Sequence, residues 1–215
     1  VMPALPGGLS SPELSAPWPP GARCFNVPER ESVMSDGEQV SFADEPLILV
    51  DADDNARGHV SKSRAHARDG MLHRAFSIFL FRDPATVLLH ERSVEKPLWP
   101  GYWTNSCCSH PRRGESNETA TRRRLQQELG VTADLSYLYK FQYAARYGDL
   151  GAERELCSVY LGALPSAAAL RPNPRGVGAS GWSDCDAVDR GCTREPARFT
   201  PWFRLEWARL RGDFR

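Results

Sequence analysis

The sequence predicts a mixed α+β fold in a single domain. Three observations carry that expectation. Strand-like apolar runs recur between residues 47 and 163, one amphipathic helical segment interrupts them, and a second helix closes the chain. With 215 residues, 41% hydrophobic and 25% charged, the chain is long enough for one sizeable core and has the balance of a globular domain.

The elements follow in order. Residues 1 to about 22 are rich in Pro, Gly and Ser and read as a flexible extension, so residues 1–40 are set apart from a domain spanning 41–215. Residues 47–50 (LILV) form a strand and residues 51–55 (DADDN) a turn. Residues 73–82 form a buried strand with His73, Ala75, Ser77 and Phe79 on one face, and residues 86–91 form the next. Residues 117–129 form a helix: Ser116 is the N-cap, Glu118 suits the positive N-terminal end, and Gly130 sits at the C-cap position. Leu125 and Leu129 of that helix point inward, while Arg124 and Glu128 share a second face. Residues 135–147 and 154–163 are two long strands, and residues 165–195 read as loop-rich. Thr200 caps a last helix with Pro201 at its first position.

Composition excludes several roles. Lys plus Arg and Asp plus Glu balance at 27 each, which gives no support to wholesale nucleic-acid or membrane-surface binding. No apolar run approaches the roughly 18 residues of a membrane span. Residues 1–22 lack Lys and Arg, so no secretory or mitochondrial leader pattern is present. The six cysteines (Cys24, Cys107, Cys108, Cys157, Cys185 and Cys192) contain no Cys-x-x-Cys pair, and a reduced, cytoplasmic protein is expected.

The chemistry concentrates in residues 104–111 (TNSCCSHP), where Cys108 stands two residues from His110. Glu153 and Glu155 share a strand face and repel, so a cation or a shared proton belongs between them, although such a pair is usually a solvated face. Any one of His59, His66, His73, His90 and His110 is more often structural than ligating. Lys62, Arg92, Lys96 and Arg124 flank the candidate core as anion binders or as ordinary surface. Glu128 either holds a hard divalent cation or forms an intrahelical pair with Arg124 worth a few tenths of a kcal/mol. Cys108 is a buried core cysteine or a nucleophile or proton donor. Tyr143 and Trp202 read in isolation as core aromatics.

The runs LWPGYWTNSCCSHP, GES and RRRLQQELGV, with AHARDGMLHRAFS before them and the Glu-x-Glu strand after them, strongly resemble the metal-dependent (type 1) isopentenyl diphosphate isomerases, a branch of the Nudix fold. The resemblance covers about residues 45–205 and implies an α/β/α sandwich with a mixed sheet. Laid on the Nudix hydrolase signature G-x5-E-x7-R-E-U-x-E-E-x-G-U, Ser109 stands for the first Gly, Glu115 for the first Glu and Arg123 for the Arg. Arg124 replaces the next Glu, Gln127 replaces the first of the Glu pair, and Glu128 remains. Loss of two carboxylates, one to a cation, removes hydrolytic machinery and favours gripping a diphosphate without cutting it.

Residue by residue, the resemblance implies a metal held by His66, His73, His110, Glu153 and Glu155, with Mn²⁺, Zn²⁺ or Mg²⁺ all compatible. It implies a second ion, Mg²⁺, at Glu128, and diphosphate contacts from Lys62, Arg92, Lys96 and Arg124. Cys108 and Glu155 match the catalytic pair, and Tyr143 and Trp202 the supporting aromatics. The activity implied is conversion of isopentenyl diphosphate to dimethylallyl diphosphate in isoprenoid biosynthesis. A proton is gained at the terminal alkene carbon, with Glu155 the preferred acid, and one is lost from C2, with Cys108 the preferred partner. The partner is then a small isoprenoid diphosphate, with no nucleic acid and no membrane span, and the chain a monomer or weak dimer. Three departures stand out: Ser109 where many members have Gly, Pro97 after Lys96, and residues 173–177 (NPRGV) in place of an acidic stretch. A Nudix hydrolase using Glu115 and Glu128, or a non-catalytic diphosphate-binding module, are the competing readings.

Overall fold

The computed structural model describes residues 37–165 and 167–213, so the Pro-rich segment of residues 1–22 lies outside the described residues. Nine strands among the described residues pair into one mixed sheet. Its spine is β3 (His73–Asp83), which runs antiparallel to β6 (Cys107–Ser109) and parallel to β8 (Gly151–Ala163). β7 (Leu135–Tyr147) pairs antiparallel with β8, and β1 (Pro46–Val50) and β2 (Ala56–Ser61) add a hairpin beside the start of β3. β4 (Thr86–Arg92) pairs with the end of β3, with β5 (Trp103–Thr104) and with β9 (Val177–Asp184).

β3 reads as a nearly continuous apolar run because both its faces are buried. Phe76, Ile78 and Leu80 pack with Ala120, Leu125 and Leu129 of α2 (Asn117–Leu129). Ala75 and Phe79 pack on the other side with Phe203, Trp207 and Leu210 of α4 (Pro201–Asp213). Each such side chain contributes about 1.5–3 kcal/mol when fully buried, so a sheet with helices on both faces is favoured over one face left wet. The result is the α/β/α sandwich that the family resemblance implied.

α2 has the predicted ends. The Ser116 hydroxyl accepts from the Thr119 N–H at 3.1 Å, and Gly130 takes the left-handed conformation at φ 68°. The loop expected over residues 165–195 is a correction: β9 fills residues 177–184, and α3 (Cys185–Arg194) follows directly. β9 (VGASGWSD) carries two glycines and little β-branching, so its propensity is poor. Its pairing with β4, from Thr86 opposite Asp184 to Glu91 opposite Ala179, overrides that. The Asp184 carboxylate then caps α3 by accepting from the Ala187 N–H at 2.9 Å.

Residues 37–40 already pack on the domain. The Val40 carbonyl accepts from Arg124 Nη1 at 2.6 Å, and the Glu38 carbonyl from Asn173 Nδ2 at 2.9 Å. No helix among the described residues is long and apolar enough to cross a membrane.

Candidate active site

Strand register brings distant ligands together. His73 opens β3 and lies beside Glu155 of β8, which faces Tyr143 of β7. Glu153 falls on the same face of β8 as Glu155. His66 caps the short helix α1 (Lys62–Ala65), and His110 directly follows β6. Ligand atoms of His66, His73, His110, Glu153 and Glu155 all lie within 4.8 Å of one another. Glu155 Oε1 is 2.8 Å from His110 Nε2 and 3.6 Å from His73 Nε2, and Glu153 Oε2 is 2.8 Å from His66 Nε2.

This group fits a divalent cation. Nε2 of His66, Nε2 of His73 and Oε2 of Glu153 are buried without a hydrogen bond, and each atom left so costs about 1–3 kcal/mol. His73 Nδ1 lies 2.7 Å from the Met71 carbonyl, which places the proton on Nδ1 and turns the Nε2 lone pair toward the group. At His110, burial and the charges of His73 and Lys62 hold the imidazole well below the usual histidine value. At His73, burial works the same way, but the Glu155 carboxylate beside it outweighs it and raises the imidazole above that value. Three imidazoles and two carboxylates form a donor set for a metal of borderline hardness.

A cavity of about 370 Å³ opens beside the group, with Cys108, Glu155, Tyr143 and Trp202 in its wall. The Tyr143 hydroxyl donates to Glu155 Oε2 at 2.6 Å. Burial works to raise Glu155, but the His73 imidazole beside it and the Tyr143 hydroxyl keep it below its ordinary value. Burial pushes the Cys108 thiol up to about 12; Arg92 opposes that rise, and Glu128, Glu155 and Glu206 add to it. The Trp202 indole N–H donates to Thr104 Oγ1 at 3.1 Å, and its ring meets Trp99 edge-on at 5.2 Å. Both contacts fix the ring plane in the wall.

Lys62, Arg92, Lys96 and Arg124 line the same cavity. Lys62 Nζ donates to Ser41 Oγ at 2.6 Å, and burial with the nearby Lys96 and Arg124 charges pushes the amine down to about 8. Arg92 is held by the carbonyls of Leu98 and Trp99 at 2.8 and 3.1 Å, and its guanidinium carbon lies 5.2 Å from the Trp202 ring centroid. Glu128 stands apart from the five-residue group. Its Oε1 pairs with Arg124 and lies 3.5 Å from Lys96 Nζ, and its Oε2 accepts from the Cys107 thiol at 3.4 Å. Burial works to raise this carboxyl, but Arg124 and Lys96 outweigh it and hold it far below the usual range.

A NUDIX domain is matched over residues 71–203. The isopentenyl-diphosphate Delta-isomerase of Serratia proteamaculans is 46% identical over 163 residues, which cover 74% of this chain and 88% of that protein. Isopentenyl-diphosphate Delta-isomerase 1 of Photorhabdus laumondii is 40% identical over 166 residues, 76% of this chain and 93% of that protein. The chain belongs to the isopentenyl-diphosphate Delta-isomerase family.

The fold of this isomerase-family member is shared more widely. A Deinococcus radiodurans crystal structure superposes with TM-score 0.62 at 21% identity, covering 77% of this chain and 98% of that one. A MutT NUDIX hydrolase from Burkholderia pseudomallei gives 0.52 at 20% identity, covering 65% and 98%. At these identities the likeness shows the fold alone. Within it, the hydrolase-signature positions of this isomerase-family chain are engaged by cations. Glu115 receives Arg123 Nε at 2.7 Å, and Glu128 receives Arg124.

Sequence reasoning did not single out Ser41, Phe42 and Ala43, which also line the cavity, nor Thr104, which fixes Trp202. The first three precede the regular structure and carry no periodic signal. Thr104 lies inside the quoted motif, but nothing in that motif says which indole it meets.

Proposed function

We propose that the site isomerises isopentenyl diphosphate to dimethylallyl diphosphate by adding one proton to the substrate and removing another. The observation that carries this reading is the meeting of Cys108 and Glu155 in one cavity, with Tyr143 and Trp202 in its wall and four cationic side chains around it. A hydrolase needs several carboxylates to hold metals and activate water, and Arg124 and Gln127 stand where two of the signature carboxylates belong. A binding module needs no acid–base pair.

The chain's own residues supply each requirement. Lys62, Arg92, Lys96 and Arg124 bind the diphosphate and leave the five-carbon tail against Trp202. Glu155, with Tyr143 donating to it, delivers the proton to the terminal alkene carbon. Cys108, as thiolate, removes the proton from C2; the electron pair of that C–H bond becomes the new double bond. One proton moves from Glu155 to Cys108 per forward turnover, and the reverse reaction returns it. Burial pushes the Cys108 thiol up to about 12, so before each forward turnover the proton passes back from Cys108 to Glu155 by exchange with solvent, which restores the acid and the thiolate. Trp202 shelters the cationic carbon, worth about 2 kcal/mol when desolvated, and its ring excludes water that would trap that carbon as an alcohol.

The His/Glu group would hold Mn²⁺, Zn²⁺ or Mg²⁺, which would offset the paired carboxylates and tune the acidity of Glu155. Glu128 would hold the Mg²⁺ that accompanies the diphosphate, freeing Lys96 and Arg124 for phosphate oxygens. The five described cysteines are free, which supports a reducing compartment, and we place the reaction in the cytoplasm. We expect the chain to act as a monomer or weak dimer.

The test compares wild type with Cys108→Ala on isopentenyl diphosphate. Loss of roughly 100-fold or more in turnover, in the range of a positioned acid–base group, supports the reading. Undiminished turnover in the variant refutes the role of Cys108.

A further inference from the structure

α4 turns a largely apolar face onto the sheet. Trp202, Phe203, Trp207 and Leu210 are buried there, and Glu206 is buried among them with 1% of its surface exposed. A carboxyl is disfavoured in such a place, and a cost of that kind is most often met at functional sites. Trp202, one helical turn earlier, is in the cavity wall.

Glu206 Oε1 lies 3.6 Å from Cys157 Sγ, which lies 3.5 Å from Ser77 Oγ. Its Oε2 is buried without a hydrogen bond. Both neighbours sit on the strand rows that carry the acid–base pair. Ser77 of β3 is the register partner of Cys108 in β6. Cys157 follows Glu155 by two positions on β8, hence on the same face.

The groups that interact electrostatically with Glu206 are Cys157 and Glu155 from β8, Ser77 from β3, Cys108 from β6 and Tyr139 from β7. The Tyr139 hydroxyl donates to the Glu206 backbone carbonyl at 3.2 Å, and Arg209 of α4 covers the Tyr139 ring at 3.9 Å. The side chains acting on the carboxyl itself are a hydroxyl, a thiol and a second carboxylate. Burial pushes Glu206 up to about 8; Ser77 holds it back, Glu155 adds to the rise, and Cys157 holds it back.

We propose that Glu206 is a positioning residue of the isomerase site: as a neutral acid it fixes Cys157 and Ser77 beneath Cys108 and Glu155, and as a carboxylate it shuts the reaction down. This rests on the isomerase reading. A negative charge beneath Cys108 opposes the thiolate that takes the C2 proton. Activity therefore falls as pH rises through the titration of Glu206.

The experiment uses the metal-loaded full chain as wild type, Glu206→Gln and Glu206→Ala. The kcat–pH profile is measured alongside the infrared carboxyl band that the Gln variant removes. Wild type is expected to lose activity near pH 8, and Glu206→Gln, which cannot ionise, to lose that alkaline limb. Gln is expected to recover most of a roughly tenfold kcat loss in Glu206→Ala, the scale of a residue that orients another. The infrared band is expected to be that of a protonated acid at neutral pH, disappearing as pH rises. An unchanged alkaline limb in Glu206→Gln, or an ionised carboxylate at neutral pH, overturns the proposal. The infrared readout needs no turnover: a wild type that titrates as expected but does not isomerise refutes the isomerase reading, and with it the catalytic role given to this acid.

Discussion

Tyr143 and Glu155 face each other across the β7–β8 ladder, and the tyrosine hydroxyl donates to Glu155 Oε2 at 2.6 Å. The other oxygen of the same carboxylate lies 2.8 Å from His110 Nε2. Glu155 is thus shared between the metal-type group and the cavity wall. A carboxylate clamped on both oxygens has a fixed direction, which a proton donor to an unactivated alkene requires.

Tyr143→Phe keeps the ring and removes the donor. The kcat is expected to fall roughly tenfold or more, with kcat/KM falling in parallel, because the lost interaction is made in the transition state. Steady-state kinetics with varied isopentenyl diphosphate measures this. A rise in KM with kcat intact would instead assign Tyr143 to substrate binding.

His73→Ala removes a ligand whose second nitrogen is anchored on the Met71 carbonyl. Elemental analysis of the purified protein is expected to find bound divalent metal in wild type and markedly less in the variant. A chelator should lower the Tm of wild type and leave that of the variant nearly unmoved, since only a ligand of the native state adds stability. Equal metal content in the two proteins counts against the five-residue site.

Glu128 is held far below the usual carboxylate range because Arg124 and Lys96 outweigh its burial. A depressed carboxyl contributes stability above its unfolded value of about 4.3, and that contribution is lost as pH falls through its folded value. Glu128→Gln leaves Arg124 buried and uncompensated, so it is expected to destabilise the protein by about 3–5 kcal/mol at pH ~7. The gap between variant and wild type should shrink steadily below pH ~4. Urea unfolding at several pH values reads both numbers, and a pH-independent gap is the contrary result.

Trp202→Phe keeps an aromatic face but loses the indole donor to Thr104, whereas Trp202→Leu loses the face altogether. If the ring shelters a cation, the Leu variant should be slower than the Phe variant by roughly thirtyfold, the kinetic equivalent of about 2 kcal/mol. Similar rates in the two variants would reduce Trp202 to a packing role.

Local signals were legible in the sequence. Ser116 and Gly130 mark the ends of α2 because capping depends on a few neighbouring residues. The strand of residues 73–82 stood out because burial on both faces makes it continuously apolar. β9 did not stand out: its glycines and serines leave no alternation, and only pairing with β4 makes it a strand. The His/Glu group was also beyond spacing arguments, since His66, His73, His110 and Glu155 come from four separate parts of the chain. Only the resemblance of whole motifs joined them. Glu206 did leave a trace, as one acid between Trp202, Phe203 and Trp207 at helical spacing. A single charge on an apolar stripe does not reveal which side of the sheet it will meet.

The most direct measurement follows isopentenyl diphosphate with the Mg²⁺-supplemented enzyme by proton NMR while inorganic phosphate is assayed in parallel. The account predicts that the terminal-alkene signals give way to those of dimethylallyl diphosphate with no phosphate released. Phosphate release without the new alkene would contradict it and place the chain's activity with the hydrolases that share its fold.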